Sequence, residues 1–309
     1  MNIIHAAADL NPGSRGVCVA IGVFDGVHLG HQAVIGQARA DARTHDCLSV
    51  VITFDRHPNA VVAPQNIPPL IYPLAKKLRV IASLGLDTAC VIHFDKSFSE
   101  ISGEQFMRAV ARDFQNIRSV CVGETFMFGC RRSGNVGLLK SLGDELGFTV
   151  WALPDISLDG EPVSSTRIRE AVREGRLDLA GRMLGRTYTL CGAVKMGEQL
   201  GRKLGFPTAN LEVAGTLVPP AGVYAANAQL GAETHRAAVN IGRRPTVDPA
   251  GSPVQVEAHL LDFVGDIYGR ELELTFLKKL RDEQKFPSMA ALQEQIGRDA
   301  RQARETRET

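Results

Sequence analysis

The chain lacks an excess of charge of either sign. Its 309 residues carry 35 Lys+Arg against 34 Asp+Glu, a formal net charge of +1. That balance speaks against a basic nucleic-acid binder and against a polybasic membrane anchor. No stretch approaches the roughly 20 apolar residues that a membrane-spanning helix needs. Residues 1–10 carry Asp9 and no basic region followed by a long apolar core, so they read poorly as a signal peptide. Cysteine is sparse: Cys18, Cys47, Cys90, Cys121, Cys130 and Cys191 form no CxxC pair and no Cys/His spacing that suits zinc. Cys18, Cys90 and Cys121 sit in apolar runs and read as small buried hydrophobes. The whole set reads as reduced thiols in a cytoplasmic setting. Internal repeats, low-complexity segments and the GxxxxGK[ST] phosphate loop are also missing. Hydrophobic residues at 44% and charged residues at 22% are those of a soluble globular protein. The length sets two domains as the expectation.

The first half of the chain alternates short apolar runs with helical patterns. Strands are expected at 17–23, 48–54, 89–94, 119–123 and 148–153, and helices at 31–43, 74–84, 103–114 and 136–146. Runs such as "SVVITF" and "ACVIHF" are apolar on both faces, as in a parallel sheet covered by helices on each side. The order predicts a doubly wound, Rossmann-like α/β domain that binds ligands outside the carboxyl ends of its strands. Two short helices are expected within 165–184. From Thr187 onward the pattern changes to "TLCGAVKMG", "GVYAANAQL", "HRAAVNIG", "VQVEAHLLDF" and "ELELTFL", separated by Gly/Pro turns. In the last of these Leu272, Leu274 and Phe276 share one face, which is the alternation of a half-buried antiparallel strand. The set predicts a small barrel or sandwich. A helix over 288–305, with Met289, Leu292 and Ile296 at helical spacing, closes the chain. The boundary is placed at 184/185, giving domains 1–184 and 185–309.

Four constellations carry candidate chemistry. "GVFDGVHLGH" (22–31) leaves an apolar strand and enters a helix through three glycines, with His28 and His31 three apart. It fits a plain tight turn, or an anion site made of helix N-terminal N–H groups and two imidazoles. "VSSTRIRE" offers Ser164, Ser165 or Thr166 as an N-cap. It also places Arg167 and Arg169 in a first turn where the helix dipole disfavours cations, either to face solvent or to clamp a polyphosphate. In "GEQLGRKLGFPTANL" (197–211), Gly197, Gly201 and Gly205 surround Arg202 and Lys203. Thr208 and Asn210, two apart, share a face in an extended segment and are hard oxygen ligands of the kind Mg²⁺ accepts beside phosphates and water. The same residues fit a surface hairpin. Glu257, in mid-strand, suits either a general base facing a pocket or a water-facing side chain. Arg281, Glu283 and Phe286 of "LRDEQKF" lie in a loop, where an aromatic ring can cover a planar ligand or a charge run can simply be solvated.

Taken together, "GVFDGVHLGH", "TFDRHP", "VSSTRIRE", "GRKLGFPTANL", "NIGRRPT", "VEAHLLDF" and "LRDEQKF" resemble, in order and wording, the bacterial bifunctional riboflavin kinase/FAD synthetase family from end to end. The resemblance implies a nucleotidyltransferase-type α/β domain that adenylylates FMN with ATP, followed by a six-stranded barrel that phosphorylates riboflavin. It implies that His28 and His31 hold ATP phosphates, beside Gly22, Phe24, Asp25 and Gly26 of the same motif, with Ser165, Thr166 and Arg169 closing over the triphosphate. It implies Thr208 and Asn210 as Mg²⁺ and nucleotide ligands, Gly201, Arg202 and Gly205 as the adjoining loop, Glu257 as the base for the riboflavin 5′-hydroxyl, and Arg281, Glu283 and Phe286 as binding residues. The expected partners are small molecules (riboflavin, FMN and ATP), not nucleic acid or membrane, for a monomer or weak homo-oligomer. The chain departs from the family within 123–135, where Thr125 stands for Asp or Asn, Met127 for Arg and Arg131 for Gly. This segment is expected near the flavin of the adenylyl site. Two alternatives follow: a riboflavin kinase with an impaired adenylyltransferase domain, and a non-catalytic flavin-binding regulator.

Overall fold

The computed structural model describes residues 1–10, 13, 15–197, 201, 204–243 and 254–307. The chain divides into two compact units, Met1–Arg167 and Ile168–Thr309.

The first unit is built on a six-stranded parallel sheet. Its strands are β1 (Asn2–Ile4), β2 (Val17–Ile21), β3 (Leu48–Phe54), β4 (Thr88–Ile92), β5 (Ile117–Gly123) and β6 (Thr149–Leu153), in the order β1-β4-β3-β2-β5-β6. All five residues of β2 are buried, as a strand covered on both faces requires. Helices α5 (Gly103–Phe114) and α6 (Val136–Leu146) cover one face, packing Met107, Phe114 and Leu139 on Val19, Ile52 and Val120. Helix α1 (Leu29–Thr44) lies along β2, β3 and β5. Shorter helices α2 (Asn59–Val62), α3 (Leu74–Ser83) and α4 (Lys96–Ser99) fill the connections. The chain runs from β2 through β3 to β4, then returns to place β5 on the other side of β2. The strand order thus reverses between β2 and β5, where a crevice opens outside the strand ends. Strand β2 ends at Ile21, two residues before the expected 23, because Gly22 already belongs to the turn. Strand β1 went unpredicted, since three residues show no periodicity.

The second unit is a closed antiparallel barrel. Its strands are β9 (Thr189–Lys195), β10 (Ala209–Leu211), β11 (Gly222–Leu230), β12 (Glu233–Arg243), β13 (Val254–Leu260) and β14 (Glu271–Arg281), in the order β10-β13-β12-β11-β14-β9. Strand β10 pairs with β13 on one side and β9 on the other, and so closes the barrel. It also escaped the sequence reading, being three residues long and preceded by Pro207. Leu272, Leu274 and Phe276 are buried, as the alternation predicts. Helices α7 (Ser165–Arg173), which runs across the division between the units, and α8 (Leu177–Leu184) precede the barrel. A final helix, α9 (Met289–Glu305), is capped by the Ser288 hydroxyl, which accepts from Ala291 N–H at 3.2 Å. It packs Ala303 against Ala225 and Ala238 on the outside of the barrel. The helix forms as expected, with Leu292 and Ile296 partly buried, but Met289 at the same spacing is exposed and the buried residues are Asp299 and Ala303.

Truncating Leu274 inside the barrel (Leu274→Ala) is expected to cost about 2–5 kcal/mol, the range for deleting a buried leucine side chain. A shifted denaturant midpoint measures it.

Candidate active sites

In the first unit, β2 leads into a turn that ends at His28. Gly26 has φ of +81°, and Phe24 and Val27 also take positive φ, 53° and 45°. A Cβ on Gly26 would lie 2.9 Å from Ile71 Cδ1. The Asp25 carboxylate, buried, accepts from Ile71 N–H at 3.0 and 3.1 Å and from Tyr72 N–H at 3.3 Å, anchoring the turn. His28 is the N-cap of α1: its Nδ1 accepts from His31 N–H at 3.4 Å. The two imidazoles stack with centroids 3.6 Å apart, and Phe24 meets His31 edge-on. The α1 N-terminus thus brings backbone N–H groups and two imidazoles to the switch between β2 and β5.

Ser164, not Ser165 or Thr166, caps α7, accepting from Arg167 N–H at 3.2 Å. Ser165 Oγ donates to the Asp25 carbonyl at 2.9 Å, which ties the helix start to the turn. Arg167 takes neither of the two expected courses in full, being bonded within the protein. Its Nη1 donates to the carbonyls of Leu158 and Glu161, both at 3.0 Å, and its Nε pairs with Glu161 Oε2 at 3.0 Å. These acceptors belong to a hairpin of two-residue strands, β7 (Ser157–Leu158) and β8 (Glu161–Pro162), which showed no sequence signal. Thr166 and Arg169 follow in α7, and Arg169 is buried.

Beside this turn lies a cavity of about 580 Å³ lined by Ile21, Val23, Met127, Arg131 and six phenylalanines. The rings are Phe54 at the end of β3, Phe94, Phe126 and Phe128 in loops, Phe98 of α4 and Phe106 of α5. Phe126 and Phe128 stack at 5.2 Å, and Phe94 meets Phe54 edge-on at 5.3 Å. Sequence reasoning missed this aromatic wall, whose only trace was Phe at i and i+2 or i+4 just past strand ends. Of the departures within 123–135, Met127 and Arg131 line the cavity, whereas Thr125 is exposed and is not among the lining residues. At the end of β3, partial burial pushes the Asp55 carboxyl upward. Hydrogen bonds from Phe94 N–H, Arg56 and His93 outweigh this and hold it at about 2.

In the second unit, register makes the site. Glu257 pairs with Asn210 of β10 on one side and with Asn240 of β12 on the other. Its neighbours Val256 and Ala258 are buried inside the barrel, so Glu257 and both asparagines lie on the outer face. There they line a cavity of about 350 Å³ with Gly201, Phe206, Thr208, Arg281, Glu283 and Phe286, and with Leu292, Ile296 and Asp299 of α9. Thr208 also lines a second cavity of about 490 Å³, bounded by Val194, Pro207, Phe263 and Tyr268. His259 Nδ1 lies 2.8 Å from the Pro207 carbonyl and fixes that turn. A Cβ on Gly197 would collide with the Asn210 amide, and one on Gly201 with the Phe206 carbonyl and would come within 3.2 Å of Thr208 Oγ1, so both glycines lie tight against these neighbours. Gly205 has φ of +87°. Arg202 lies outside the described residues. The Thr208 hydroxyl and Asn210 carbonyl fit a hard cation that takes its other ligands from phosphate and water. Among the described residues no cluster of three or more His, Cys, Asp or Glu side chains stands as an alternative metal site.

Asn240 and Asp299 were missed, because one is recognised only through register and the other through packing of α9. Asp299 holds Arg281 in a bidentate pair, Nη2 to Oδ2 at 2.7 Å and Nε to Oδ1 at 3.0 Å, and Gln295 donates to Asp299 Oδ1 at 2.8 Å. The guanidinium carbon sits 5.7 Å from the Phe286 ring centroid. Asp299→Ala is expected to cost about 3–5 kcal/mol, because it leaves a largely buried guanidinium without its carboxylate. Chemical denaturation checks it, with Asp299→Asn giving a smaller loss.

Comparison with known proteins agrees with this two-site architecture. A family model described as FAD synthetase matches residues 11–167, and one described as riboflavin kinase matches residues 184–307. The bifunctional riboflavin kinase/FMN adenylyltransferase of Pseudomonas fluorescens is 37% identical over 304 residues, 98% of this chain and 97% of the relative. That of Escherichia coli (strain K12) is 36% identical over 307 residues, covering 99% and 97%. A crystal structure described as a macrolide-efflux protein from Streptococcus pneumoniae superimposes with a TM-score of 0.82 at 29% identity, covering 99% of both chains. Its description is that protein's own; among the described residues here, no helix is long and apolar enough to cross a membrane. With family matches in both halves and relatives aligned along nearly its whole length, this chain belongs to the bifunctional riboflavin kinase/FMN adenylyltransferase family.

Proposed function

We propose that the chain converts riboflavin to FMN and FMN to FAD, one ATP-dependent step in each half, with residues 1–184 as the adenylyl-transferring half and 185–309 as the kinase half. The observation that carries the reading is Thr208, which lines both barrel cavities while Glu257 lines one of them. Two substrates held in adjoining cavities meet at that threonine. The cavity with Phe206, Phe286 and Glu257 suits a planar ring with a hydroxyl-bearing tail, and the one with Pro207, Phe263 and Tyr268 suits a nucleotide.

In the kinase step the Glu257 carboxylate accepts the proton of the riboflavin 5′-hydroxyl as that oxygen attacks the γ-phosphorus of ATP, and ADP leaves. Thr208 and Asn210 would hold Mg²⁺, which when bound would supply positive charge to offset that on the phosphates. Asn240 lies across from Glu257, on the side opposite Asn210. In the adenylyl step an FMN phosphate oxygen, already anionic, attacks the α-phosphorus of ATP and expels pyrophosphate, so no protein base is required. His28, His31 and the α1 N–H groups stabilise the phosphate charge, and the α7 start supplies Ser165, Thr166 and Arg169 to phosphate oxygens. The phenylalanine-lined cavity takes the flavin ring. Asp25 acts by shaping the turn.

Met127 and Arg131 favour testing the runner-up, a kinase with weakened adenylyl transfer, because both line the flavin cavity. The open cavity and its six rings support the bifunctional reading. Six free thiols support a cytoplasmic setting, and the chain is taken to act as a monomer or weak homo-oligomer.

Incubating the protein with riboflavin, ATP and Mg²⁺ and resolving the flavins by chromatography is expected to give FAD. Accumulation that stops at FMN identifies the runner-up, and unchanged riboflavin identifies a non-catalytic regulator. Glu257→Gln is expected to lower FMN formation by about 10²-fold or more, the range for losing a general base, with FAD formation from added FMN retained. His31→Ala is expected to do the reverse.

A further inference from the structure

Lys77 of α3 is 7% exposed and has no part in the mechanism above. Its Nζ donates to the Val23 carbonyl at 3.1 Å, to Thr53 Oγ1 at 3.0 Å and to the Phe54 carbonyl at 2.9 Å. Three acceptors match the three N–H groups of an ammonium. Val23 lies in the turn that follows β2, and Phe54 ends β3. Thr53 Oγ1 itself donates to the Val23 carbonyl at 3.0 Å. A second fastening runs the other way: the turn's Asp25 carboxylate accepts from the N–H groups of Ile71 and Tyr72, just before α3.

The turn needs holding. Phe24 and Val27 occupy the left-handed region, which disfavours residues with a Cβ and a β-branched residue most. Such residues persist only where the surroundings over-determine them. An ammonium is a costly way to supply that restraint. Burial pushes Lys77 down to about 8, although Asp25 and Asp55 pull it upward. A fold needing only cohesion at this position is served as well by an apolar side chain of similar volume.

We propose that Lys77 is a positioning residue for adenylyl transfer, holding the Val23 and Phe54 carbonyls so that the turn keeps the shape in which His28 and the α1 N–H groups receive ATP phosphates. This rests on the reading of the first unit as the adenylyl-transferring half. Lys77 touches neither substrate, so its removal acts through the turn.

The test uses the full chain, with riboflavin phosphorylation as the internal control. Lys77→Met is expected to lower kcat/KM for FMN adenylylation by tenfold or more, chiefly by raising the KM for ATP, while riboflavin phosphorylation stays within twofold of the wild type. Thr53→Val removes one acceptor of Lys77 and one donor to Val23 but keeps the charge. It is expected to raise the same KM severalfold, with recovery in Thr53→Ser. If Lys77→Met does not fold, the threonine pair decides. Folded variants whose KM for ATP in adenylylation stays within twofold of the wild type overturn the proposal. ATP titration by calorimetry separates this outcome from failure of the reading beneath it. A wild-type chain that binds two ATP molecules without making FAD sinks the adenylyl-transfer reading, whereas the role of Lys77 is still decided by whether one of the two binding events weakens in the variants.

Discussion

Both proposed sites depend on backbone approaching closer to its neighbours than a Cβ allows. Polyphosphate is best met by N–H groups that are fixed, unshielded and already desolvated. In the first unit Gly26 turns with positive φ against Ile71, and the chain then enters α1, capped by His28. In the second, Gly197 packs against the Asn210 amide and Gly201 against the Phe206 carbonyl and Thr208, where a Cβ would collide. The two units share no topology, and in each a glycine packs where a Cβ would collide, beside the proposed phosphate-binding groups. The polar groups that accompany these segments, His28 and His31 in one and Thr208 and Asn210 in the other, lie one helical turn or one strand repeat apart.

Much of this was legible in the sequence, and the failures have physical causes. The buried strands β2, β3 and β5 and the helices α5 and α6 announced themselves, because apolar runs and amphipathic periods are local signals. Strand β10 did not, since three residues carry no alternation, although it closes the barrel and puts Asn210 beside Glu257. Arg167 was left open between solvent and a phosphate clamp, because its partners, the carbonyls of Leu158 and Glu161, belong to a hairpin too short to be seen. Asn240 and Asp299 are polar residues whose importance exists only through register and helix packing. The six rings of the aromatic cavity come from four separate segments and converge only when the sheet forms. Glu257 was a mid-strand glutamate of either reading until family resemblance singled it out.

The roles of the two halves also follow from where their apolar surface lies. The phenylalanine cavity borders β2 through Ile21 and the turn after it through Val23, so it adjoins the turn that leads to α1. Met127 and Arg131 alter the wall of that cavity and leave the turn untouched, which separates any effect on flavin affinity from ATP binding. In the barrel, α9 supplies the opposite wall, and the Arg281–Asp299 pair fixes Arg281 beside Phe286. The last helix is therefore part of the site as well as the cover of the barrel face.

The central claim is that two complete and independent sites work in series through released FMN. Mixing the Glu257→Gln and His31→Ala chains tests it most directly. Each variant alone is given riboflavin, ATP and Mg²⁺, and then the two are combined. The account predicts no FAD from either variant alone and FAD from the mixture, as FMN made by one chain is adenylylated by the other. A mixture that makes no FAD, although each variant retains its single reaction, would contradict it.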